Sequence, residues 1–140
     1  MALGRDAMPH QIIEYSANLD ADFSIDELVA ALHQSAVDID ALPIGGIRTR
    51  AVRRDHYRIA DGHPDNAFIS VTLRIAAGRS LEVRQHAGAQ LFKTLSDFVE
   101  PIFNCRPLSL SYEVQEIETE VRWKRSNIRE YLAQRAEQDT

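Results

Sequence analysis

Ala67-Phe68-Ile69-Ser70-Val71-Thr72-Leu73-Arg74-Ile75-Ala76-Ala77-Gly78-Arg79-Ser80-Leu81-Glu82 holds a strand, a turn and the opening of a helix. Ala67, Ile69, Val71, Leu73 and Ile75 share one face and Phe68, Ser70, Thr72 and Arg74 the other, the two-residue period of a half-buried strand. Gly78 then reads as a turn, Ser80 as an N-cap, and Glu82 as a first-turn carboxylate at the positive end of the helix dipole. Helical spacing continues through Gly88, Leu91, Leu95, Phe98 and Ile102, flanked by Phe92 and Val99. Pro101 removes a hydrogen bond from that ladder and is expected to bend or end the helix.

The same logic extends outward in both directions. Gln11 to Tyr15 is strand-like, and Ser24 with Glu27 makes a capping box that Phe23 and Leu28 staple. The helix opened there carries Ile25, Leu28, Val29, Leu32 and Ala36 on one stripe and is expected to end near Asp38, before Leu42-Pro43. Ile47 to Ile59 is a more polar strand-like run ahead of the turn cluster Asp61-Gly62-His63-Pro64-Asp65, so it is expected to pair with the Ala67 strand as a hairpin. Leu108, Leu110, Tyr112 and Val114 alternate with Ser109, Ser111, Glu113 and Gln115 as a last strand.

Read in order, strand, helix, strand, hairpin return, helix and strand make two tandem β-α-β units. The expected architecture is α+β in two layers: a four-stranded mixed sheet with both helices on one face, each long crossover joining parallel strands. The other face is left bare, and apolar residues on it would call for a symmetric oligomer. The tail from Arg122 to Thr140 has a short amphipathic stretch, Ile128, Tyr131 and Leu132, readable either as a terminal helix clasping a neighbour or as a frayed end.

Composition narrows the function classes. The 140 residues, 44% hydrophobic, suit one domain, and a formal charge of −5 is not the basic field of a general nucleic-acid binder. One cysteine, Cys105, excludes an intramolecular disulfide and fits a reducing cytoplasm. No apolar run approaches the roughly 20 residues of a membrane span. The five histidines, His10, His33, His56, His63 and His86, include no pair at metal-ligand spacing, so neither a metal nor another cofactor is expected. Met1 to Ala7 are too short and polar for a signal peptide and read as a mis-assigned start, a vector remnant or an arm outside the fold.

Three residues stand out as chemistry. Pro9 opens the first strand, where its missing N–H costs little. If residue 9 becomes the first residue, however, its ring nitrogen is a free secondary amine able to carry a proton; with Met8 attached it is an amide and cannot. Arginine dominates the 16 basic residues, only Lys93 and Lys124 being lysine, and Arg48, Arg50, Arg53, Arg54 and Arg58 cluster. Guanidinium forks match carboxylates two bonds at a time, which suggests small anions. Arg50, Arg53, Arg54 and Arg58 are also readable as solvated strand charges paired with acids. Arg48, after Gly45-Gly46-Ile47, and Arg79, where a strand passes into a helix, sit at junctions where binding sites concentrate. Orphan N–H groups of the helix beginning beside Arg79 favour an anion there. His10, Tyr15 and Trp123 are readable as pocket-lining residues, but such residues are more often packing, and they stay outside the candidate set.

Met8-Pro9-His10-Gln11-Ile12-Ile13-Glu14-Tyr15-Ser16, Gly46-Ile47-Arg48-Thr49-Arg50, Ala60-Asp61-Gly62, Ala76-Ala77-Gly78-Arg79-Ser80 and Leu108-Ser109-Leu110-Ser111-Tyr112-Glu113 together resemble the 5-carboxymethyl-2-hydroxymuconate Δ-isomerase branch of the tautomerase superfamily. The likeness runs from about Pro9 to Asn127. It implies a tautomerase-like fold, a homotrimer, a cytoplasmic, cofactor-free isomerase, and a small dicarboxylate or tricarboxylate dienol as substrate. It also implies that Pro9 is the catalytic general acid/base and that Arg48 and Arg79 are the active-site, substrate-binding arginines. Residues 1–8 depart from the family's pattern and are expected to be missing from the working enzyme, leaving 9–127 as the domain and 128–140 as a tail, longer than usual in the family, whose packing on a neighbouring subunit is one of the two readings above. Two other readings stay open: a related hydratase or decarboxylase of oxo acids, and an oligomeric binding module in which Pro9 is blocked.

Overall fold

The computed structural model describes residues 9–138; the expectation for residues 1–8 lies outside them. Four strands form one sheet: β1 (His10–Ser16), β2 (Arg48–Arg54), β3 (Ala67–Ala76) and β4 (Leu108–Ile117), in the order β2-β1-β3-β4. Helices α1 (Ile25–Val37) and α2 (Leu81–Phe103) are the crossovers, and a third helix, α3 (Ile128–Gln138), follows β4. β1 and β2 run parallel, as do β3 and β4, while β1 and β3 are antiparallel. The two expected β-α-β units are therefore present, joined back to back through their first strands.

The caps form where the sequence places them. Ser24 accepts a hydrogen bond from the Glu27 N–H and Ser80 from the Val83 N–H, at 3.3 and 3.1 Å. α1 ends at Val37 with Asp38 as its C-cap, and α2 carries Pro101 in its last turn before ending at Phe103. A proline there disturbs few remaining ladder bonds, which is why the helix continues through it.

One expectation fails. The Ile47–Ile59 run does not pair with the Ala67 strand as a hairpin: β2 stops at Arg54 and lies against β1, so β1 separates it from β3. The physical reason is burial. β2 carries Arg48, Arg50, Arg53 and Arg54 and belongs at an edge, where charges stay wetted. β1 instead has Gln11 and Ile13 fully buried and tolerates neighbours on both sides. Residues 55–66 form a loop, pinned by the Asn66 amide donating to the Ile59 carbonyl and to Asp61, at 3.0 and 2.8 Å.

Both long helices pack on one face of the sheet. Leu28, Leu32, Leu95 and Val99 meet Ile13, Tyr15, Ile69 and Val71 in one core cluster; Ala36, Ala87 and Leu91 meet Leu73, Ile75 and Ile47 in a second. A polar strut crosses this apolar layer. The Gln11 amide donates to the Leu32 carbonyl of α1 and to Thr49 of β2, both at 3.2 Å, and accepts from Tyr112 of β4 at 2.9 Å. Burial holds the Tyr112 hydroxyl well above its usual range, so it remains a donor. The opposite face presents Ile12, Val52 and Phe68, each half-buried, among polar neighbours such as Ser70, Thr72 and Ser111. Apolar side chains are thus present on the helix-free face, interspersed with polar ones. No helix of the described residues is long and apolar enough to cross a membrane.

Position along α2 should decide the effect of truncation. Leu95 is fully buried in the first core cluster, whereas Phe92 is 40% exposed. Leu95→Ala is expected to lower stability by about 2–5 kcal/mol in urea unfolding, and Phe92→Ala by less than half as much. Equal losses would mean that Phe92 is buried against another surface in solution.

Candidate active site

Strand pairing assembles one end of the sheet. Pro9 is buried just before β1, and its carbonyl accepts the Arg48 N–H at 2.9 Å. The parallel register sets His10 beside Arg48, and the antiparallel register sets it opposite Arg74. β3 therefore leaves the sheet at the end where β1 and β2 enter. Gly78, at φ +121°, makes the turn a side chain would strain, and Arg79 follows directly before the Ser80 cap.

Of the three residues singled out in the sequence, Pro9 and Arg48 stand side by side. Arg79 shares their end of the sheet, but its Nε and Nη2 donate to the Ala41 carbonyl in the α1–β2 connection, at 3.2 and 2.7 Å. Burial draws its pKa below the ordinary arginine value, the direction expected for a desolvated cation. The second core cluster lies under this end, with Ile47 next to Arg48 and Ile39 and Leu42 either side of Ala41 in the chain.

His10, left outside the candidate set in the sequence, belongs to this assembly. Arg50 Nη1 lies 3.2 Å from its Nδ1 and Arg122 Nη2 3.3 Å from its Nε2. Burial, followed by the fields of Arg50, Arg48, Arg122 and Arg74, lowers its pKa to about 4, so the ring is neutral at physiological pH. A signal existed: His10 and Arg74 fall on the outward-facing period of their strands. Only the pairing of β1 with both β2 and β3 brings them together, and the expected hairpin hid that pairing. Arg122 was assigned to the tail and missed for the same reason.

Beside this end lies a cleft of about 680 Å³, with Gly45 on one wall and residues of the Thr119–Glu130 segment, including Arg122 and Trp123, on the other. Trp123 is 87% exposed. Gly45 allows close approach of α3: a Cβ at that position would meet Arg129 Cγ and Nε at 3.1 Å. Helix α3 therefore exists and touches its own subunit, with Ile128 and Tyr131 exposed. The remaining clustered arginines behave as solvated charges. Arg53 pairs with Asp20 and Asp55, Arg54 with Glu14, and Arg58 folds over Gly62.

The chemistry available is anion binding beside a strand-opening proline. Guanidinium groups from β2, β3 and the β4–α3 connection converge around a neutral imidazole, and none of them can accept a hydrogen bond. Among the described residues no group of three or more His, Cys, Asp or Glu side chains is arranged to hold a metal ion.

The family model for 5-carboxymethyl-2-hydroxymuconate isomerase matches residues 9–132. A 5-carboxymethyl-2-hydroxymuconate Delta-isomerase of Escherichia coli is 36% identical over 121 residues, covering 86% of this chain and 96% of its own. The crystal structure of a 5-carboxymethyl-2-hydroxymuconate isomerase from Deinococcus radiodurans R1 superposes with a TM-score of 0.84 at 39% identity, over 91% of this chain and 96% of that one. A second crystal structure, of a 5-carboxymethyl-2-hydroxymuconate delta-isomerase, gives 0.84 at 26% identity, over 91% and 94%. The match begins at the proline beside Arg48 and runs through the cleft segment into α3, and this chain belongs to the 5-carboxymethyl-2-hydroxymuconate isomerase family.

Proposed function

We propose that the protein is a cytoplasmic, cofactor-independent isomerase that converts 5-carboxymethyl-2-hydroxymuconate, or a related 2-hydroxydienoate, into its conjugated 2-oxo isomer. The observation that carries this reading is the buried Pro9 with its carbonyl bonded to the Arg48 N–H at a guanidinium-rich sheet end. The family match beginning at residue 9 agrees with a working amino terminus there. The family resemblance further suggests a homotrimer, and the half-buried Ile12, Val52 and Phe68 on the helix-free sheet face offer it contact surface.

In this mechanism the Pro9 amine takes the proton of the 2-hydroxyl and returns it to a carbon further along the conjugated chain. One group serves as base and then as acid, so no net proton is consumed. The amine must be neutral to begin. An unperturbed α-amino group titrates near 8. The surroundings that hold His10 down to about 4, burial and four guanidiniums, act in the same direction on a cationic amine one residue away. Arg48 and Arg79 hold substrate carboxylates and stabilise the negative charge that grows on the 2-oxygen. The Ala41 bond occupies one edge of the Arg79 fork and fixes its direction.

Three outcomes test this reading. A protein beginning at Pro9 should ketonise the dienol in an ultraviolet assay, and the same protein with one residue kept before Pro9 should lose at least about 100-fold in rate, because an amide nitrogen is not a base; full activity in the blocked form removes Pro9 from the chemistry. Arg48→Ala and Arg79→Ala should each lower kcat by about 100- to 1000-fold, with circular dichroism unchanged, and near-normal turnover in both would dismiss them. On the acid side, kcat/KM should fall below a single pKa, at or under 8, as Pro9 protonates. His10, already neutral above about pH 4, should add no limb near 6.5. A His10→Gln variant that abolished the acid limb would assign the base to the imidazole.

A further inference from the structure

Guanidinium nitrogens only donate hydrogen bonds, and a neutral imidazole has one lone pair. Yet both ring nitrogens of His10 face guanidinium nitrogens, Arg50 Nη1 at 3.2 Å and Arg122 Nη2 at 3.3 Å. One of these contacts is a hydrogen bond; the other sets N–H against N–H. Arg50 lies on β2, two residue pairs beyond His10 in the register, whereas Arg122 lines the 680 Å³ cleft. The mismatch is best put on the cleft side, with Nδ1 accepting from Arg50 and Nε2–H pointing at Arg122. An oxygen anion between Nε2–H and the Arg122 fork accepts from both and removes the conflict. Protonating the ring instead would add a fifth positive charge to the four already around it.

We propose that Arg122 and His10 form a third carboxylate subsite at the inner end of the cleft, which makes the enzyme selective for tricarboxylate over dicarboxylate dienols. The inference rests on the isomerase reading above and adds the feature of the substrate that this site recognises. Arg48 and Arg79 supply two forks, which suffice for a dicarboxylate. A third carboxylate brought to the same sheet end without a donor of its own would lose its hydration uncompensated. His10 follows Pro9 directly, and consecutive Cα atoms are about 3.8 Å apart, so an anion on its ring lies within one small molecule's length of the reacting centre. Lys124, Arg125 and Arg129 line the same cleft with Glu120 and Glu130, so it carries a general positive field, and what sets Arg122 apart is its contact with His10.

The test is a ratio. For Arg122→Gln, kcat/KM for 5-carboxymethyl-2-hydroxymuconate relative to 2-hydroxymuconate should fall about 10- to 100-fold, carried by KM, the loss of one charged hydrogen-bonded pair. Arg122→Lys should recover part of it. Arg125→Gln, in the same cleft without a His10 contact, should keep the wild-type ratio. An unchanged ratio in Arg122→Gln, or an equal fall in Arg125→Gln, overturns the subsite. So does a change in oligomer size without a change in ratio, because an acidic group of another subunit would then be the anion. Calorimetric titration of the full chain with propane-1,2,3-tricarboxylate and with glutarate reads the subsite without chemistry. Preference for the tricarboxylate, lost in Arg122→Gln, supports it, and no preference overturns it. Failure of the wild type to turn over either dienol while that preference persists would sink the isomerase reading alone.

Discussion

Pairing of β1 along both of its edges is the constraint on which the site depends. A parallel neighbour brings Arg48 beside Pro9 and His10, and an antiparallel neighbour brings the exit of β3, with Arg74 and then Arg79, to the same end. Neither pairing alone gathers these groups. Gln11 fixes the register of β1, because its buried amide reaches α1, β2 and, across β3, β4. A slip of one residue in β1 would turn Gln11 out of the core and His10 into it, leaving buried partners unsatisfied on several elements. The register that positions the site is thus fixed by a polar side chain two residues from Pro9, in the middle of an otherwise apolar layer.

Charge follows the same axis. Along β2, Arg53 and Arg54 at the far end are neutralised by Asp20, Asp55 and Glu14, while Arg106 nearby binds Asp22 and the carbonyls of Asn18 and Asp65. At the near end the arginines face an imidazole and a backbone carbonyl instead. A protein with a net charge of −5 has acids to spare, so this difference reflects where they sit. Among the described residues no salt bridge joins Arg48, Arg50, Arg74 or Arg79 to an acid, and clustered cations repel one another and cost stability. The second core cluster and the Arg79–Ala41 bond hold them in place. An arriving carboxylate relieves repulsion at the near end and would only compete with existing pairs at the far end.

Much of the fold was legible because its signals are local. Period-two alternation marked β3 and β4, Ser24 and Ser80 marked the helix starts, and the long crossovers implied parallel pairs. Strand order was less accessible. The turn cluster after Ile59 looked like a hairpin, but adjacency in sequence does not weigh the burial that β1 tolerates and the arginine-rich β2 does not. Pro9, Arg48 and Arg79 were singled out from their junctions and the family pattern, and the structure sets them at one end of the sheet. His10 and Arg122, 112 residues apart in the chain, meet only through tertiary structure, and a histidine on a strand or an arginine in a tail carries no sign of it.

The neutral state of His10 links the two halves of the chemistry. An environment able to keep an imidazole uncharged to about pH 4 would also keep a nearby secondary amine available as a base at neutral pH. In the proposed mechanism the same guanidiniums would attract a polyanionic substrate, and its bound carboxylates would offset that positive field. A proline amine in the complex should therefore hold a proton more readily than in the free enzyme. That shift suits a group which must first accept a proton and, while the substrate is still bound, return it.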